Sequence, residues 1–442
     1  MSWPHRQSML IKRIQLGLIH VAVAMTLVPI NSTLNRVMIK ELAISATLVA
    51  ALASLPYLFS PIQVAIGSFA DRHPLWGRRR TPYILLGLGL CVFGVMLSPQ
   101  AAFLIAEDWW AGLGLGLVSF GSWGMGFNFA TVSYLSLASE LSGEKGRGKT
   151  VAVMWFMMIT SIIFTAMLLS RLVDPYTPAA MQRAFWLVGG LAFGLGLVGL
   201  VKLEGRSLLR EAEDDSRYSW GTLLATVLNN RQATLFFVYL VILLAALLGQ
   251  DILLEPFGGE AFGMSVKTTT RITSIWGVCV LLTLLVAGAL ETRVNKRVVA
   301  AWGGWVALLG FGMISLSGVI VNQGLFYFGV VMLGLGTGLA TVSNLSLMLD
   351  MTTAGNVGLF IGAWGMANAI SRLLGSVLGG AVRDVVAQVL LDPVLAYAIV
   401  FAIEALMLLV SLFLLWRIDV SAFRQKVDTL PLVERTALAI EA

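Results

Sequence analysis

The sequence predicts an all-α polytopic membrane protein, a bundle of twelve transmembrane helices arranged as two halves of six. The composition is the first reason, because 58% of the 442 residues are hydrophobic and only 12% are charged, whereas a soluble surface is about a quarter or more charged. Long apolar runs are the second reason, since the strands of a transmembrane barrel would alternate polar and apolar residues. A short sequence repeat, placed once in each half, is the third.

Each predicted helix is an apolar run of about 20 residues, the length that crosses a ~30 Å hydrocarbon core. The twelve runs cover residues 14–35, 42–69, 82–103, 109–138, 149–171, 183–202, 233–254, 270–290, 297–320, 325–350, 357–382 and 394–416. Basic residues precede the first run, but no small-residue cleavage site closes it. We therefore expect it to be a retained span and not a signal peptide.

Basic residues predict the orientation of these spans. Most of the 30 Lys and Arg residues lie in the termini and in every second loop, which the positive-inside rule places in the cytoplasm. The opposite loops hold Arg36, Lys40, Arg171, Arg183, Lys267, Arg271 and Arg383. Both termini are therefore predicted to be cytoplasmic. The predicted parts are a six-helix half at 1–202, a cytoplasmic linker at 203–232, a second six-helix half at 233–416 and a cytoplasmic tail at 417–442.

An internal repeat supports the division into halves. Residues 130–137 read ATVSYLSL, and residues 340–347 read ATVSNLSL, 210 positions later. Chance similarity between apolar helices is the alternative, but acids follow both strings at the same spacing, at Glu140 and Asp350. Two six-helix halves repeated in parallel orientation are the architecture of the major facilitator superfamily.

The loop between the second and third spans carries a candidate motif. It resembles the facilitator loop signature, in which an acid and an Arg follow a small-residue helix end and precede Gly and a basic cluster. The matching residues are Gly67, Asp71, Arg72, Gly77, Arg78 and Arg79. Additional residues between Arg72 and Gly77 depart from the usual spacing, and an ordinary basic cytoplasmic loop is the alternative interpretation.

Features that would suggest a nucleotide-binding or nucleic-acid-binding protein have simpler explanations. The pI is about 9.4, but the basic residues lie in short loops, so we predict no nucleic-acid partner. Residues 143–150 match the phosphate-loop pattern GxxxxGK[ST]; a helix and not a strand is predicted before them, so we expect a cytoplasmic turn and no nucleotide. Glycines between Gly112 and Gly126 lie inside a span and are expected to allow close helix packing.

Polar residues inside the spans are the candidate functional residues, because each is costly in hydrocarbon unless it meets a partner or a cavity. His20 lies in the middle of the first span. A neutral imidazole can ligate a metal, including the magnesium of a chlorin; a histidine hydrogen-bonded between helices is the alternative.

Further polar residues lie near span ends or in pairs. Asn31, Asn35 and Arg36 form a polar end to the first span after a kink expected at Pro29. The seventh span has a similar polar end, formed by Gln250, Asp251 and Glu255. Other spans contain isolated amides and charges, namely Asn128, Asn344, Arg372 and Glu404. The last two are expected to pair with each other or with another buried charge.

Four strings resemble the bacteriochlorophyll delivery family, the PucC-like and LhaA-like branch of the major facilitator superfamily in phototrophs. They are STLNRVMIKEL at 32–42, GRRRTP at 77–82, and WFMM at 155–158 together with DPY at 174–176. The resemblance extends over most of the chain and is best in the first half. It implies the major facilitator fold and an assembly factor that delivers (bacterio)chlorophyll to light-harvesting or reaction-centre apoproteins within the membrane.

The resemblance also implies the partners. (Bacterio)chlorophyll is the expected cargo and not a catalytic cofactor, and no enzymatic activity is predicted. Antenna or reaction-centre polypeptides, membrane lipid and pigment-synthesis enzymes are the expected partners, in the cytoplasmic or photosynthetic membrane. His20 is the candidate magnesium ligand. The other candidate pigment contacts are Asn31, Asn35, Arg36, Asn128, Gln250, Glu255, Asn344 and Arg372.

A proton- or ion-coupled carrier of a small solute is the alternative function. Its titrating group would be Asp251, Glu255 or Glu404. Few charges lie near the centres of the first, fourth, seventh and tenth spans, which line the cavity in the major facilitator superfamily. This scarcity favours a hydrophobic substrate.

Overall fold

The computed structural model describes residues 3–205, 231–290, 293–350 and 357–418. The first helix, α1 (Trp3–Val28), continues in π-helical form through Pro29–Leu34 and Val37–Glu41. The helices that follow are α2 (Ala46–Ala53), α3 (Leu55–Leu58), α4 (Ile62–Arg72), α5 (Thr81–Glu107), α6 (Trp109–Leu172) and α7 (Pro178–Leu200).

The later part of the chain is also helical. It comprises α8 (Arg231–Gly249), a 3-10 turn (Gln250–Ile252), α9 (Leu254–Phe262), α10 (Val266–Leu290), α11 (Lys296–Val319), α12 (Gln323–Asp350), α13 (Val357–Leu390) and α14 (Pro393–Arg417). Within the described residues, extended pairing is limited to an isolated bridge between Leu75 and Arg78. The predicted all-α class is confirmed.

Ten helices of the described chain are long and apolar enough to cross a membrane. They correspond to ten of the twelve predicted spans. The predicted span 109–138 lies in α6, whose Gly143 has φ 60° and ψ 170° and separates two helices. The helix before Gly143 is helical throughout but is not among the ten, because its Gly, Ser and Asn residues lower its mean hydropathy.

The predicted span 42–69 is wrong as a single helix. The structure divides it into α2, α3 and α4, with breaks at Ser54 and at residues 59–61. Pro56 and Pro61 explain the interruption, since proline has no N–H to donate and crowds the preceding turn. At this interruption the Pro56 carbonyl accepts a hydrogen bond from the Asn128 side-chain amide, at 2.9 Å.

The first span is also longer than predicted. Instead of ending near residue 35, the helix runs to Glu41 by changing to the wider π form directly after Val28. Pro29 opens this segment, and its missing N–H is compatible with the change in hydrogen bonding. Such π segments are frequently found at functional sites. The polar residues that follow Pro29 are therefore presented from a helix, not from a loop.

By its contacts the chain forms two compact units. The first comprises residues 3–205 and 251–277, and the second comprises residues 231–250 and the described residues between 278 and 418. Residues 251–277, which the predicted division assigns to the second half, thus pack with the first unit. Nearly all of the predicted linker at 203–232 and of the predicted tail at 417–442 lies outside the described residues. The core of the first unit joins α1, α5, α6 and α7 through Ile19, Leu88, Tyr134 and Leu200.

Equivalent glycine contacts occur in both units. A Cβ atom at Gly87 of α5 would lie 2.4 Å from the Ala130 nitrogen of α6, and one at Gly303 of α11 would lie 2.6 Å from the Ala340 nitrogen of α12. Ala130 and Ala340 are the first residues of the two repeated strings. Helix backbones therefore touch at repeated positions, as small residues permit in membranes.

Candidate functional site

The first unit contains a buried polar cluster, which we define as Ser32, Asn35, Arg36, Glu255 and Thr273. The π-helical end of α1 supplies the first three residues, α9 supplies Glu255, and α10 supplies Thr273. Glu255 lies in the first turn of α9, where the helix dipole stabilises negative charge. The cluster brings together residues that are more than 200 positions apart.

The Glu255 carboxylate is the centre of the cluster. It is 3% exposed. Its Oε1 accepts hydrogen bonds from the hydroxyl groups of Ser32 and Thr273, the latter at 2.6 Å. Its Oε2 is buried and has no hydrogen-bond partner among the described residues. One half of this carboxylate is therefore fixed, and the other half is available to a proton or a ligand.

Arg36 supplies the positive charge. It is 2% exposed, and its Nη1 forms an ion pair with Glu41 Oε1 at 2.9 Å. Nη2 donates to the Met264 carbonyl at 3.2 Å, whereas no described residue accepts from Nε. A Cβ atom at Gly259 would lie 2.4 Å from Nε. Only glycine at this position of α9 lets the guanidinium lie where it does.

Asn35 is the most unusual member. Its side chain is fully buried, yet neither Nδ2 nor Oδ1 has a hydrogen-bond partner in the described chain. Leaving a buried polar group unpaired costs about 1–3 kcal/mol. The cluster therefore offers two buried donors, on Asn35 and Arg36, and two buried acceptors, on Asn35 and Glu255. This arrangement can bind a polar group that carries both acceptor and donor atoms, or ordered water.

Ion pairs surround the cluster. Lys40 Nζ lies 2.6 Å from Glu260 Oε2 and links the end of α1 to α9. Lys267 Nζ lies 2.6 Å from Asp174 Oδ2 and links α10 to the segment after α6. Close by, burial raises the pKa of the Tyr176 phenol; the charge of Glu41 also raises it, while that of Arg36 lowers it.

His20 lies apart from the cluster, about 18 Å before Ser32 along α1 at ~1.5 Å per residue. Its imidazole is buried and lies against the Tyr134 ring, with 5.1 Å between ring centroids. Nδ1 has no hydrogen-bond partner among the described residues. The ring thus keeps a nitrogen lone pair or N–H that the described protein atoms do not use.

Asn128 and Asn344 make structural hydrogen bonds. Asn128 Nδ2 donates to the carbonyls of Pro56 and Gly124, at 2.9 and 2.8 Å, and its Oδ1 accepts from Gln63 at 2.5 Å. Asn344 Oδ1 accepts from the Tyr239 hydroxyl at 2.7 Å. The two amides therefore hold helices together, and neither belongs to the polar cluster.

The remaining candidates lie outside the cluster or at its border. Asn31 is half-buried beside Ser32 on the π-helical segment. In the second unit, Gln250 is buried and Arg372 is half-buried. Glu404 is buried as well, and its Oε1 lies 3.0 Å from the position of a Cβ atom at Gly249. The structure thus brings together Asn35, Arg36 and Glu255 from the predicted set.

The loop after α4 contains a tight turn. Trp76 and Gly77 both have positive φ, 54° and 71°, and Leu75 and Arg78 exchange two backbone hydrogen bonds of 3.0 Å. The residues that depart from the facilitator spacing form this turn. A Cβ atom at Gly67 would lie 3.3 Å from Val132 Cγ1, so α4 packs closely on α6.

The rest of the loop motif is anchored by acids. Arg72 is exposed, the Asp71 side chain is outside the described part, and Arg79 Nη2 lies 3.9 Å from Glu140 Oε2. Arg80 lies closer to the same carboxylate, with 3.2 Å between Nε and Oε1. An acid in this position pairs the basic loop with the end of the first half of α6.

Glu204 is a second anchor of this loop, and it was absent from the predicted site. Its carboxylate accepts from the backbone N–H groups of Arg79, Arg80 and Thr81 and from the Thr81 hydroxyl, with the shortest distances at 2.6 Å. These bonds cap the N-terminus of α5. An isolated acid just after an apolar span, on the side rich in Arg, was the available sequence signal.

The phosphate-loop match at 143–150 lies within α6. Helix precedes Gly143, and residues 144–150 continue as helix, so the strand, loop and helix order of a nucleotide site is not present there. The Thr150 hydroxyl accepts hydrogen bonds from Arg13 Nε at 3.1 Å and from the Ser142 hydroxyl at 2.7 Å. The predicted turn is thus limited to the break at Gly143, and the rest of the segment is helical.

Comparisons with known proteins identify the relatives of this chain. The family model described as PUCC protein matches residues 33–423. Protein PucC of Rhodovulum sulfidophilum is 32% identical, over 84% of this chain and 85% of that protein. The bacteriochlorophyll synthase 44.5 kDa chain of Rhodobacter capsulatus is 26% identical, over 90% of this chain and 92% of that protein.

The fold has relatives among solved structures. The crystal structure of the nucleoside transporter NupG superimposes with a TM-score of 0.69 at 15% identity, over 92% of this chain and 98% of that one. At this identity the likeness shows the fold alone. The predicted major facilitator architecture is confirmed.

Proposed function

Because this chain belongs to the PUCC protein family, we propose that it is an assembly factor for photosynthetic light-harvesting or reaction-centre complexes. In this role it binds (bacterio)chlorophyll and delivers the pigment to apoproteins within the membrane. The family match over residues 33–423 is the observation that carries the proposal. The name of the Rhodobacter capsulatus relative, which includes bacteriochlorophyll, gives it further support.

The buried polar cluster supports a role in holding pigment. The edge of a chlorin carries keto and ester oxygens, and Asn35 Nδ2 and Arg36 Nε are buried donors without acceptors among the described residues. A carbonyl oxygen in this cluster would satisfy a donor that otherwise costs stability. The pigment is cargo in this proposal, and the protein supplies its binding and its release.

His20 is the leading candidate for a single magnesium ligand. Its Nδ1 is buried without a described partner, which is suited to a ligand bond. The Tyr134 ring already packs against the imidazole, so entry of a macrocycle requires the two rings to separate. Binding at His20 is therefore expected to accompany movement of α1 relative to α6.

The partners in this proposal are antenna or reaction-centre membrane polypeptides, with lipid and pigment-synthesis enzymes as further contacts. The chain is an integral membrane protein, and we assign it to the cytoplasmic or photosynthetic membrane with both termini in the cytoplasm. The proposal includes no catalytic step, no nucleotide and no nucleic acid.

Deletion of the gene in a phototrophic host tests the function. The expected result is a fall in the amount of assembled antenna or reaction-centre complexes while the free pigment pool persists, with recovery when the intact gene is returned. Unchanged complexes in the deletion strain would overturn the proposal.

A carrier coupled to protons is the second candidate, and Glu255 favours it. Its buried, half-paired carboxylate lies within electrostatic reach of Arg36, and the fold is shared with solute transporters. Uptake of nucleosides or peptides by liposomes containing the purified protein, driven by a pH gradient and lost in Glu255→Gln, would favour this function over assembly.

A further inference from the structure

A large groove lies on the second unit between α11 and α14. Its volume is about 1050 Å³, just above the range of about 300–1,000 Å³ typical of small-molecule pockets. Asn295, Arg297, Val298, Trp302, Trp305 and Leu409 line it together with Val410, Leu412, Phe413 and Trp416. None of these residues belongs to the polar cluster or to the loop motif.

The groove has a floor and one closed end. A Cβ atom at Gly304 would lie 2.7 Å from Leu412 Cδ2, so α11 and α14 are in direct contact behind the groove. At the end where α11 begins and α14 finishes, Arg297 Nη2 donates to the Trp416 carbonyl. Charge and hydrogen-bonding groups are therefore concentrated at this end, and the rest of the lining is apolar.

Aromatic rings dominate the open wall. Trp302, Trp305 and Phe413 are about half exposed, and Trp416 is 76% exposed. Indole rings are common at membrane interfaces, which accounts for Trp416 at the end of its helix. Trp305 is nine residues into α11, about 13 Å along the helix, close to the middle of a ~30 Å hydrocarbon core. An interfacial belt does not account for a half-exposed indole at that depth.

We propose that this groove binds the chlorin ring of the pigment, with the ring against the indoles of Trp302 and Trp305 and a peripheral oxygen near Arg297. This inference rests on the proposed function and gives the pigment a second site, separate from His20 and from the polar cluster. Flat π-systems stack favourably on indole, whereas an acyl chain of a phospholipid gains nothing specific from aromatic rings. The groove opens sideways to lipid, so pigment can enter and leave without crossing the protein.

The double variant Trp302→Leu/Trp305→Leu tests the proposal. Leu keeps the lipid-facing surface apolar and removes both indoles. Each purified protein is placed in phosphatidylcholine nanodiscs with added bacteriochlorophyll a, and binding is followed by co-eluting absorbance and by quenching of tryptophan fluorescence. We expect at least about tenfold weaker binding in the double variant. Trp305→Phe, which keeps a ring, should bind nearly as well as the wild type.

The matched control is Trp110→Leu. Trp110 is an exposed indole at the start of α6, in the first unit, so its loss should leave binding unchanged. Wild-type binding that persists in the double variant would overturn the groove site and leave the proposed function standing. The groove site would also be overturned if the double variant lost co-purified phospholipid but kept its pigment, as measured by native mass spectrometry. Absence of pigment binding by the wild type would contradict the pigment-handling function itself.

Discussion

The Ser32 hydroxyl donates a hydrogen bond to the Glu255 carboxylate, across 223 positions of the chain. This bond joins the π-helical end of α1 to the first turn of α9. It holds in place a charged group that is almost completely shielded from solvent. The cost of burying that charge is offset in part by two hydroxyl donors and by the nearby Arg36.

Glu255→Ala should destabilise the protein by about 2–4 kcal/mol, because it leaves Ser32 and Thr273 without their acceptor and leaves Glu41 as the counter-charge of Arg36. Glu255→Gln keeps an acceptor oxygen and the shape of the side chain, so its cost should be smaller. Thermal unfolding of the detergent-solubilised variants, followed by size-exclusion chromatography, provides the measurement. Equal stability of the Ala variant and the wild type would show that the cluster does not stabilise the fold.

Gly259→Ala should lower stability by about 1–3 kcal/mol, since the new Cβ atom would displace the Arg36 guanidinium from which it would lie 2.4 Å. Gly121→Ala is the matched control, because nothing lies within 4 Å of a Cβ atom at that position. The same unfolding assay compares the two. A larger loss for Gly121→Ala than for Gly259→Ala would contradict the observed packing.

Glu204 should make the loop before α5 sensitive to acid. Burial tends to raise the pKa of its carboxyl, but the hydrogen bonds from Thr81, Arg79 and Arg80 outweigh burial and lower the pKa below the ordinary 4.5. Its stabilising contribution is therefore complete above pH 4.5 and is lost as the pH falls through the lowered pKa.

The variant Glu204→Gln tests the direction of this pH dependence. It should be less stable than the wild type at pH 7 by about 1–2 kcal/mol, and the difference should narrow as the pH falls through the lowered pKa of the wild-type carboxyl. Protease cleavage in the loop, measured from pH 7 down to acid pH, reports the opening of the loop directly. A difference that widens on acidification would contradict this assignment.

His20→Ala should reduce the pigment bound by the purified protein without preventing membrane insertion, because alanine suits a helix and removes a costly polar group. Pigment absorbance per protein gives the measurement, and the amount of membrane-inserted protein is the control. Normal pigment content in this variant would exclude His20 as the magnesium ligand and leave the polar cluster and the groove between α11 and α14 as the proposed pigment sites.

The sequence is most informative about the spans. Long apolar runs are physically sufficient for helices in lipid, so ten spans coincide with their predictions. The breaks at Ser54 and Pro61 are less visible, since short apolar pieces on both sides of a break read as one run. The π form after Pro29 is equally hidden, because the side chains alone do not distinguish a helix end from a widened helix.

The polar cluster could be predicted only in part. Asn35, Arg36 and Glu255 were recognisable as costly polar residues in or beside apolar spans. Thr273 was not, because threonine is common in such helices and its value lies in a contact with α9. Asn128 shows the reverse case: its polarity predicts a binding role, and in the structure its side chain donates to the Pro56 carbonyl at a helix break. The distinction depends on tertiary contacts that no local pattern encodes.

The absorption spectrum of the protein purified from a phototrophic host tests pigment handling most directly. We expect a chlorin absorbance band that co-elutes with the protein in a fixed ratio after lipid exchange, and that falls in the Trp302→Leu/Trp305→Leu variant. A preparation that is folded and inserted but carries no chlorin, and that takes up none when bacteriochlorophyll a is added, would contradict the proposal.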